Sequence, residues 1–373
     1  GQWTISPDHG PKAGGTTVTL TPPPASGIRF SQTSAGDMCS MGIDSKGDLY
    51  TWGDNLFGEL GRDTGSSEYD GRPGRVTPPT GITSFTQASA GDMHSMAIGS
   101  DGNLYTWGDN YDGQLGRDTT GTPANRPGRV TPPTGVTFTQ ASARYGYSMA
   151  FGSDGNLYTW GDNSGGQLGR DTTGTPYDRP GRVTPPTGVT LTQISANGTY
   201  SMALGSDGNL YTWGDNSSGQ LGRDTGSSGY DGRPGRVTPP TGVTSFTQAN
   251  AGSRYSMALG SDRNLYTWGA NDLGQLGRET NTTINGVNAD IKPGRVTAPA
   301  GITFTQSSEG GNMISMAFGS DGNLYTWGNN NYGQLGRDTA NIQDGRPGRV
   351  VFPSRGKPTG VLFDHAVGTG LMP

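Results

Sequence analysis

The sequence predicts an all-β fold, a seven-bladed β-propeller of four-stranded antiparallel blades. Three observations predict it. The segment Leu-Tyr-Thr-Trp-Gly recurs six times, placing Trp52, Trp107, Trp160, Trp213, Trp268 and Trp327 at intervals of 53 to 59 residues. A period of this size marks units that are each one supersecondary element, unable to bury an apolar face alone. Each unit carries four short strand-like runs, the content of a propeller blade. The 66 glycines and 25 prolines among 373 residues sit at fixed places within the units, where they read as turn residues. Without a period the same composition would indicate disorder. Only 29% of the chain is hydrophobic, which suits many thin apolar layers better than one bulky core.

Residues 1–29 match the repeat poorly. The run from Thr4 to Leu20, with Ile5-Ser6-Pro7 and Gly14-Gly15-Thr16-Thr17-Val18-Thr19, resembles the opening of the Ig-like IPT/TIG domains common in bacterial surface proteins. Residues 30–350 hold the six repeats. In the second, strand A is Phe85–Ser89, alternating and rich in strand formers. Strand B is Ser95–Ile98, and Asp101-Gly102 predicts a two-residue hairpin turn into strand C, Asn103–Trp107. A longer loop leads to strand D, Gly128–Thr131, and Pro132-Pro133 marks D as the outer edge. The fifth unit carries Arg263 where the others have glycine, predicting local strain or a shifted turn.

Residues 351–373 include a run, Val361–Gly370, that aligns loosely with the start of a further blade. Strand A, with or without B, from this tail, joined to strand D at Thr17–Leu20, with or without C around Trp3, would close the ring as a composite seventh blade. Such closure removes the exposed edges of an open arc. Six blades with flanking Ig-like strands is the alternative, and either way residues 1–373 form one domain.

The units, with Gly-Gln-Leu-Gly after Trp-Gly and Ala-Gly-x-x-x-Ser-Met-Ala, are similar to the repeats of the regulator of chromosome condensation family. The resemblance covers about residues 30–350. It implies a propeller and leaves function open, since relatives include a nuclear exchange factor for a small GTPase, a plant ultraviolet photoreceptor and a secreted β-lactamase inhibitor. The family pattern has His just before Ser; here Cys39, His94, Tyr147, Tyr200, Tyr255 and Ile314 stand there. The photoreceptor relatives carry tryptophans in that segment and this chain has none, which counts against light sensing.

The net charge of −5 counts against nucleic acid as the ligand. Cys39 is the only cysteine, so no intrachain disulfide is available. No run is long and apolar enough to span a membrane as a helix, so no membrane insertion is expected. His9, His94 and His365 are scattered and give neither metal spacing nor a nucleophile–base pair, so no cofactor, metal site or catalytic residue is assigned.

Differences among nearly identical units carry information. The B–C turn and the D–A connection are almost constant, whereas the A–B turn and C–D loop vary. In an antiparallel meander these two variable connections share one face of the ring. Of 15 tyrosines, nine lie outside strand C, all of them in the variable connections. Tyrosine gives rigid contact area with a polar tip. The candidate binding face is therefore Phe57, Tyr69, Met93, His94, Tyr111, Tyr145, Tyr147, Tyr177, Tyr200, Tyr230, Arg254, Tyr255, Met313 and Tyr332. The residues just before Ser alternate with an inward Met, so those positions could equally pack between blades or line the channel. The expected role is a non-catalytic, monomeric binding module for a protein or glycan, cut from a longer secreted or cell-surface bacterial protein. An intracellular regulatory propeller and a rigid spacer are the alternatives.

Overall fold

A computed structural model of the chain describes residues 4–6, 19–21, 28–36, 38–65, 68–226, 229–309, 313–339 and 341–352. Among them are six antiparallel sheets of blade type, each with strand order A-B-C-D. Blade 2 is representative: A is Phe85–Ala90, B is His94–Gly99, C is Leu104–Gly108 and D is Gly128–Arg129. D pairs with C alone, as its flanking prolines require. In blade 5 a short extra strand, Thr283–Ile284, pairs with strand D, Val287–Arg295, making five. Thr4–Ser6 pairs antiparallel with Thr19–Thr21 as a separate two-stranded sheet. The expected composite seventh blade falls mostly on residues outside those described, among them Trp3 and 353–373.

The apolar layers lie between blades, as the low hydrophobic content predicts. Met41, Leu49 and Leu60 of blade 1 pack with Phe85, Ala97 and Trp107 of blade 2 in one cluster. The same pattern recurs at the next four junctions. Five of the six repeat tryptophans are completely buried. Each donates its indole N–H to the backbone carbonyl of the preceding blade's loop, Trp107 to Glu59 at 2.8 Å and Trp160 to Gln114 at 2.9 Å. A serine of strand B, such as Ser95, donates to the same carbonyl. Each of the five described seams is thus apolar with two polar stitches, satisfying groups that would otherwise be costly to bury. The second glycine of Gly-Gln-Leu-Gly fits this seam: Gly116 has φ +66, and a Cβ there would lie 2.5 Å from Trp160 Nε1.

Two local expectations meet the structure differently. The B–C connection is one residue longer than the expected two-residue turn. Gly102 N–H donates to Gly99 C=O around Ser100-Asp101, and Gly102 follows with φ 75. That is a type I turn plus a left-handed residue, the usual three-residue hairpin loop. Asp101 secures it, accepting from the Asn103 amide at 3.0 Å and the Tyr105 hydroxyl at 2.8 Å. Arg263 keeps the left-handed conformation, φ 64, with the same turn bond to Gly260. The turn there is strained and unshifted.

Candidate binding face

The A–B turn and the start of the C–D loop meet in every blade. The amide following strand C donates to the carbonyl of the A–B turn, Asp109 to Met93 at 2.9 Å and Asp162 to Gly146 at 2.8 Å. On the opposite side the B–C turn is bonded to the D–A connection, Ser100 N–H to Ser84 C=O at 2.9 Å. The two variable connections therefore share one face, and the two constant ones share the other.

Each C–D loop opens with a side-chain-braced turn. In blade 2, Asn110 Oδ1 accepts from the Leu115 amide at 3.0 Å, and Gln114 Oε1 accepts from the Asp112 amide at 2.9 Å. Gln114 Nε2 donates to Asp109 Oδ2 at 2.9 Å, and Thr106 donates to Leu115 C=O at 2.7 Å. This frame projects the two variable tip residues outward. Tyr111 and Tyr332, at equivalent tips, are 90% and 91% exposed.

The rest of the loop is organised by the recurring arginine, in two ways. In blades 2 and 3 it is caged by carbonyls: Arg117 donates to Thr106, Thr122, Pro123 and Arg126. In blades 1, 4, 5 and 6 it meets an aspartate, Arg62 with Asp70 at 3.0 Å and Arg223 with Asp231 at 2.9 Å. The aspartate version accompanies a longer D strand, Tyr69–Arg75 or Tyr230–Arg236, against two residues in blades 2 and 3.

Of the sequence candidates, Phe57, Tyr69, Tyr111, Tyr145, Tyr177, Tyr230 and Tyr332 are exposed on this face. Met93, Arg254 and Met313 are half-buried. Arg254 and Met313 have φ 61 and 64 in their A–B turns, conformations that persist only where the surroundings enforce them. Arg254 reaches Asp272 of its own C–D loop at 3.3 Å.

Four candidates do not belong on the exposed face. His94, Tyr147, Tyr200 and Tyr255 are buried between blades. His94 Nε2 lies 2.8 Å from Ser148 Oγ, Tyr147 OH lies 3.0 Å from Ser201 Oγ, and Tyr255 donates to Ile314 C=O at 2.6 Å. In blades 2 to 5 strand B is covered on both sides by neighbouring strands and blades, so its alternation has no exposed phase. These residues are inter-blade ties. Burial holds His94 near 3 and therefore neutral, and pushes Tyr147 up to about 12, so neither titrates at physiological pH.

Sequence reading missed Met38 and Ile342, both exposed on the same face. Met38 occupies the column of Met93 and Met313, and Ile342 lies one residue before the column of Tyr69 and Tyr230; those alignments were the available signal. The tip of blade 2 is also acidic. Burial and the nearby Asp162 and Asp109 charges raise the Asp112 carboxyl above its ordinary value. A shallow depression of about 390 Å³, lined by Thr139, Gln140, Phe151 and Thr190, lies towards the constant side. Among the described residues no group of three or more His, Cys, Asp or Glu could hold a metal, and no helix is long and apolar enough to cross a membrane.

Comparison with known proteins gives the lineage. The model of the RCC1-like domain matches residues 8–369. The human E3 ubiquitin-protein ligase HERC2 is 29% identical over 347 residues, 88% of this chain but 7% of the ligase. The ultraviolet-B receptor UVR8 of Arabidopsis thaliana is 32% identical over 255 residues, 67% of this chain and 55% of the receptor. The chain thus spans less than two thirds of these relatives. Among solved structures, human WBSCR16 superposes with a TM-score of 0.71 at 23% identity, covering 90% of this chain and 85% of that one. Prp20p of Saccharomyces cerevisiae, described with its binding properties to Gsp1p and histones, gives 0.70 at 23% identity, covering 86% and 76%.

Proposed function

The chain belongs to the RCC1-like domain family, and from that premise we propose that it is a non-catalytic, monomeric binding module that docks a protein through the face formed by its A–B and C–D connections. One observation carries the reading: six tyrosines and Phe57 are exposed on the face where the repeats differ, on loops braced from beneath. Interfaces favour large, rigid, amphipathic side chains of this kind.

The same proposal has a place and a closure. The Ig-like opening and the near-identity of the units support a segment of a secreted or cell-surface bacterial protein. A leader and a wall anchor in the full-length sequence would support that location, and a nuclear-localisation segment would contradict it. A seventh blade assembled from residues 1–29 and 351–373 would cover what blades 1 and 6 leave open. Phe30 is 38% exposed where Phe85 is 2%, and Phe318 is 45% where Phe151 is 8%. Removing 351–373 should then lower the melting temperature; an unchanged transition would argue for six blades.

A second reading, a regulatory propeller acting on a small GTPase or chromatin, is favoured by the likeness to Prp20p. A screen of the purified chain against a displayed protein library and a glycan array separates these. Loss of a protein hit in a Tyr111→Ala, Tyr145→Ala, Tyr332→Ala variant supports the proposed face. Hits confined to a GTPase or histones support the second reading, glycan hits change the ligand class, and no hit favours a spacer.

A further inference from the structure

The six C–D loops share one braced turn, and in blade 1 it is built with a different residue. Blades 2 to 4 use a glutamine that both accepts and donates. Gln167 Oε1 accepts from the Gly165 amide at 2.9 Å while Nε2 donates to Asp162 Oδ2 at 2.7 Å. Gln220 does the same with Ser218 and Asp215, and Gln114 with Asp112 and Asp109. Blade 1 has Glu59 there. Glu59 Oε2 accepts from the Phe57 amide at 2.9 Å, taking the place of the glutamine Oε1. Its Oε1 therefore stands where the donating Nε2 would be. Glu59 is buried, and Oε1 has no hydrogen-bond partner. The residue it meets is Asp54, the counterpart of Asp109, Asp162 and Asp215.

Two carboxyls in the place of an amide and a carboxylate leave the turn one proton short. With Glu59 out of water beside the half-buried Asp54, two adjacent carboxylates repel, so a shared proton is favoured. The other titratable groups around the pair do not relieve this. Cys39, from the start of strand B, is a thiol that burial and then the Glu59 charge push up to about 12, and Asp92, from the A–B turn of blade 2, adds negative charge. The nearest cation along the chain, Arg62, is committed to Thr51 and Asp70. Burial, with a further contribution from Asp54, raises the Glu59 carboxyl to about 7.

We propose that Asp54 and Glu59 form a proton-operated latch on the apolar corner of the loop face. With one proton between them, Glu59 donates to Asp54 and rebuilds the bond its sister blades make with glutamine. Without it, the repelling carboxylates loosen the turn that presents Leu56 and Phe57, both exposed. The seam between blades 1 and 2 feels the same change, because the Glu59 carbonyl accepts from Trp107 Nε1 and Ser95 Oγ, each at 2.8 Å. The latch needs no ligand, so it stands or falls apart from the binding proposal.

Hydrogen exchange of the intact chain between pH 5 and 8, corrected for intrinsic rates, tests it. Protection over residues 54–62 should fall severalfold with rising pH, while the equivalent turn at 109–117 serves as an internal control and stays level. Glu59→Gln, which installs the residue of the sister blades, should abolish the fall. Asp54→Asn, which gives ionised Glu59 a donor, should also flatten it. Thermal unfolding supplies the second readout. A carboxyl raised in the folded state favours folding while protonated, so the wild-type chain should lose melting temperature relative to Glu59→Gln as pH rises from about 4.5 to about 7. Parallel exchange and melting profiles for the wild type and Glu59→Gln would overturn the proposal.

Discussion

The two faces are both held by side-chain hydrogen bonds and display different things. On the constant face, Asp207 accepts from the Asn209 amide, the Asn209 side chain and the Tyr211 hydroxyl, and the same set recurs at Asp101, Asp154, Asp262 and Asp321. What reaches solvent there is mainly Ser, Thr, Gly, Pro and the turn aspartate, nearly identical from unit to unit apart from Lys46 and Arg263. On the variable face, Asn110, Gln114 and Arg117 hold the loop as firmly, yet the tips read Leu56-Phe57, Tyr111-Asp112, Asp272-Leu273 and Asn331-Tyr332. Variation here is therefore not slack in a loose loop. A rigid frame carries a changing tip, which is how binding loops on fixed scaffolds are built.

The comparison can be broken or sharpened in several ways, beginning with the seam beneath both faces. Trp213 is fully buried and bonded to Gln167 C=O. Trp213→Ala should cost about 3–5 kcal/mol in chemical denaturation, from lost burial plus the cavity, and should disturb both faces together. At the tips, Tyr111→Ala with Tyr332→Ala should leave stability within about 0.5 kcal/mol, as exposed sites do. The same pair should weaken partner binding by at least about 2 kcal/mol if these are hot spots. On the constant face, Asp207→Ala should reduce stability by about 0.5–1.5 kcal/mol by removing its bonds to the Asn209 and Tyr211 donors, while leaving binding intact.

That aspartate also gives a pH signature. Burial would raise it, but the Tyr211 hydroxyl and the Asn209 side chain and amide outweigh this and hold it below its ordinary value. A depressed carboxyl contributes stability above its unfolded value of 3.8 and loses it as pH falls through the folded one. Acid unfolding should therefore begin at lower pH in the wild type than in Asp207→Asn, and the stability difference between them should shrink as pH falls below 3.8. The smallest effect is at Arg263, φ 64. Arg263→Gly should stabilise by about 1 kcal/mol by removing left-handed strain, with no change in binding.

Much of this was legible in the sequence. The repeated Trp and Leu fixed the period, Pro132-Pro133 marked the edge strand, and the meander put the variable connections on one side. The tyrosines before Ser were ambiguous for a physical reason. A strand inside a stack of blades is covered on both sides, so alternation alone cannot say which residues see solvent. The extra residue in the B–C turn depended on the Asp101 side chain, which a dipeptide signal does not encode. Glu59 was visible as Gly-Glu-Leu-Gly among five copies of Gly-Gln-Leu-Gly. Its meaning required seeing that the glutamine amide is a donor to aspartate.

The most direct test of the central claim is a calorimetric titration of a partner identified by the screen against three forms of the chain. These are the wild type, the loop-face variant Tyr111→Ala/Tyr145→Ala/Tyr332→Ala, and a constant-face variant with Thr134→Arg and Thr187→Arg, both at exposed positions. Binding lost in the loop-face variant and kept in the constant-face variant is the expected result. Binding kept in the first and lost in the second would place the site on the wrong side of the molecule and contradict the account.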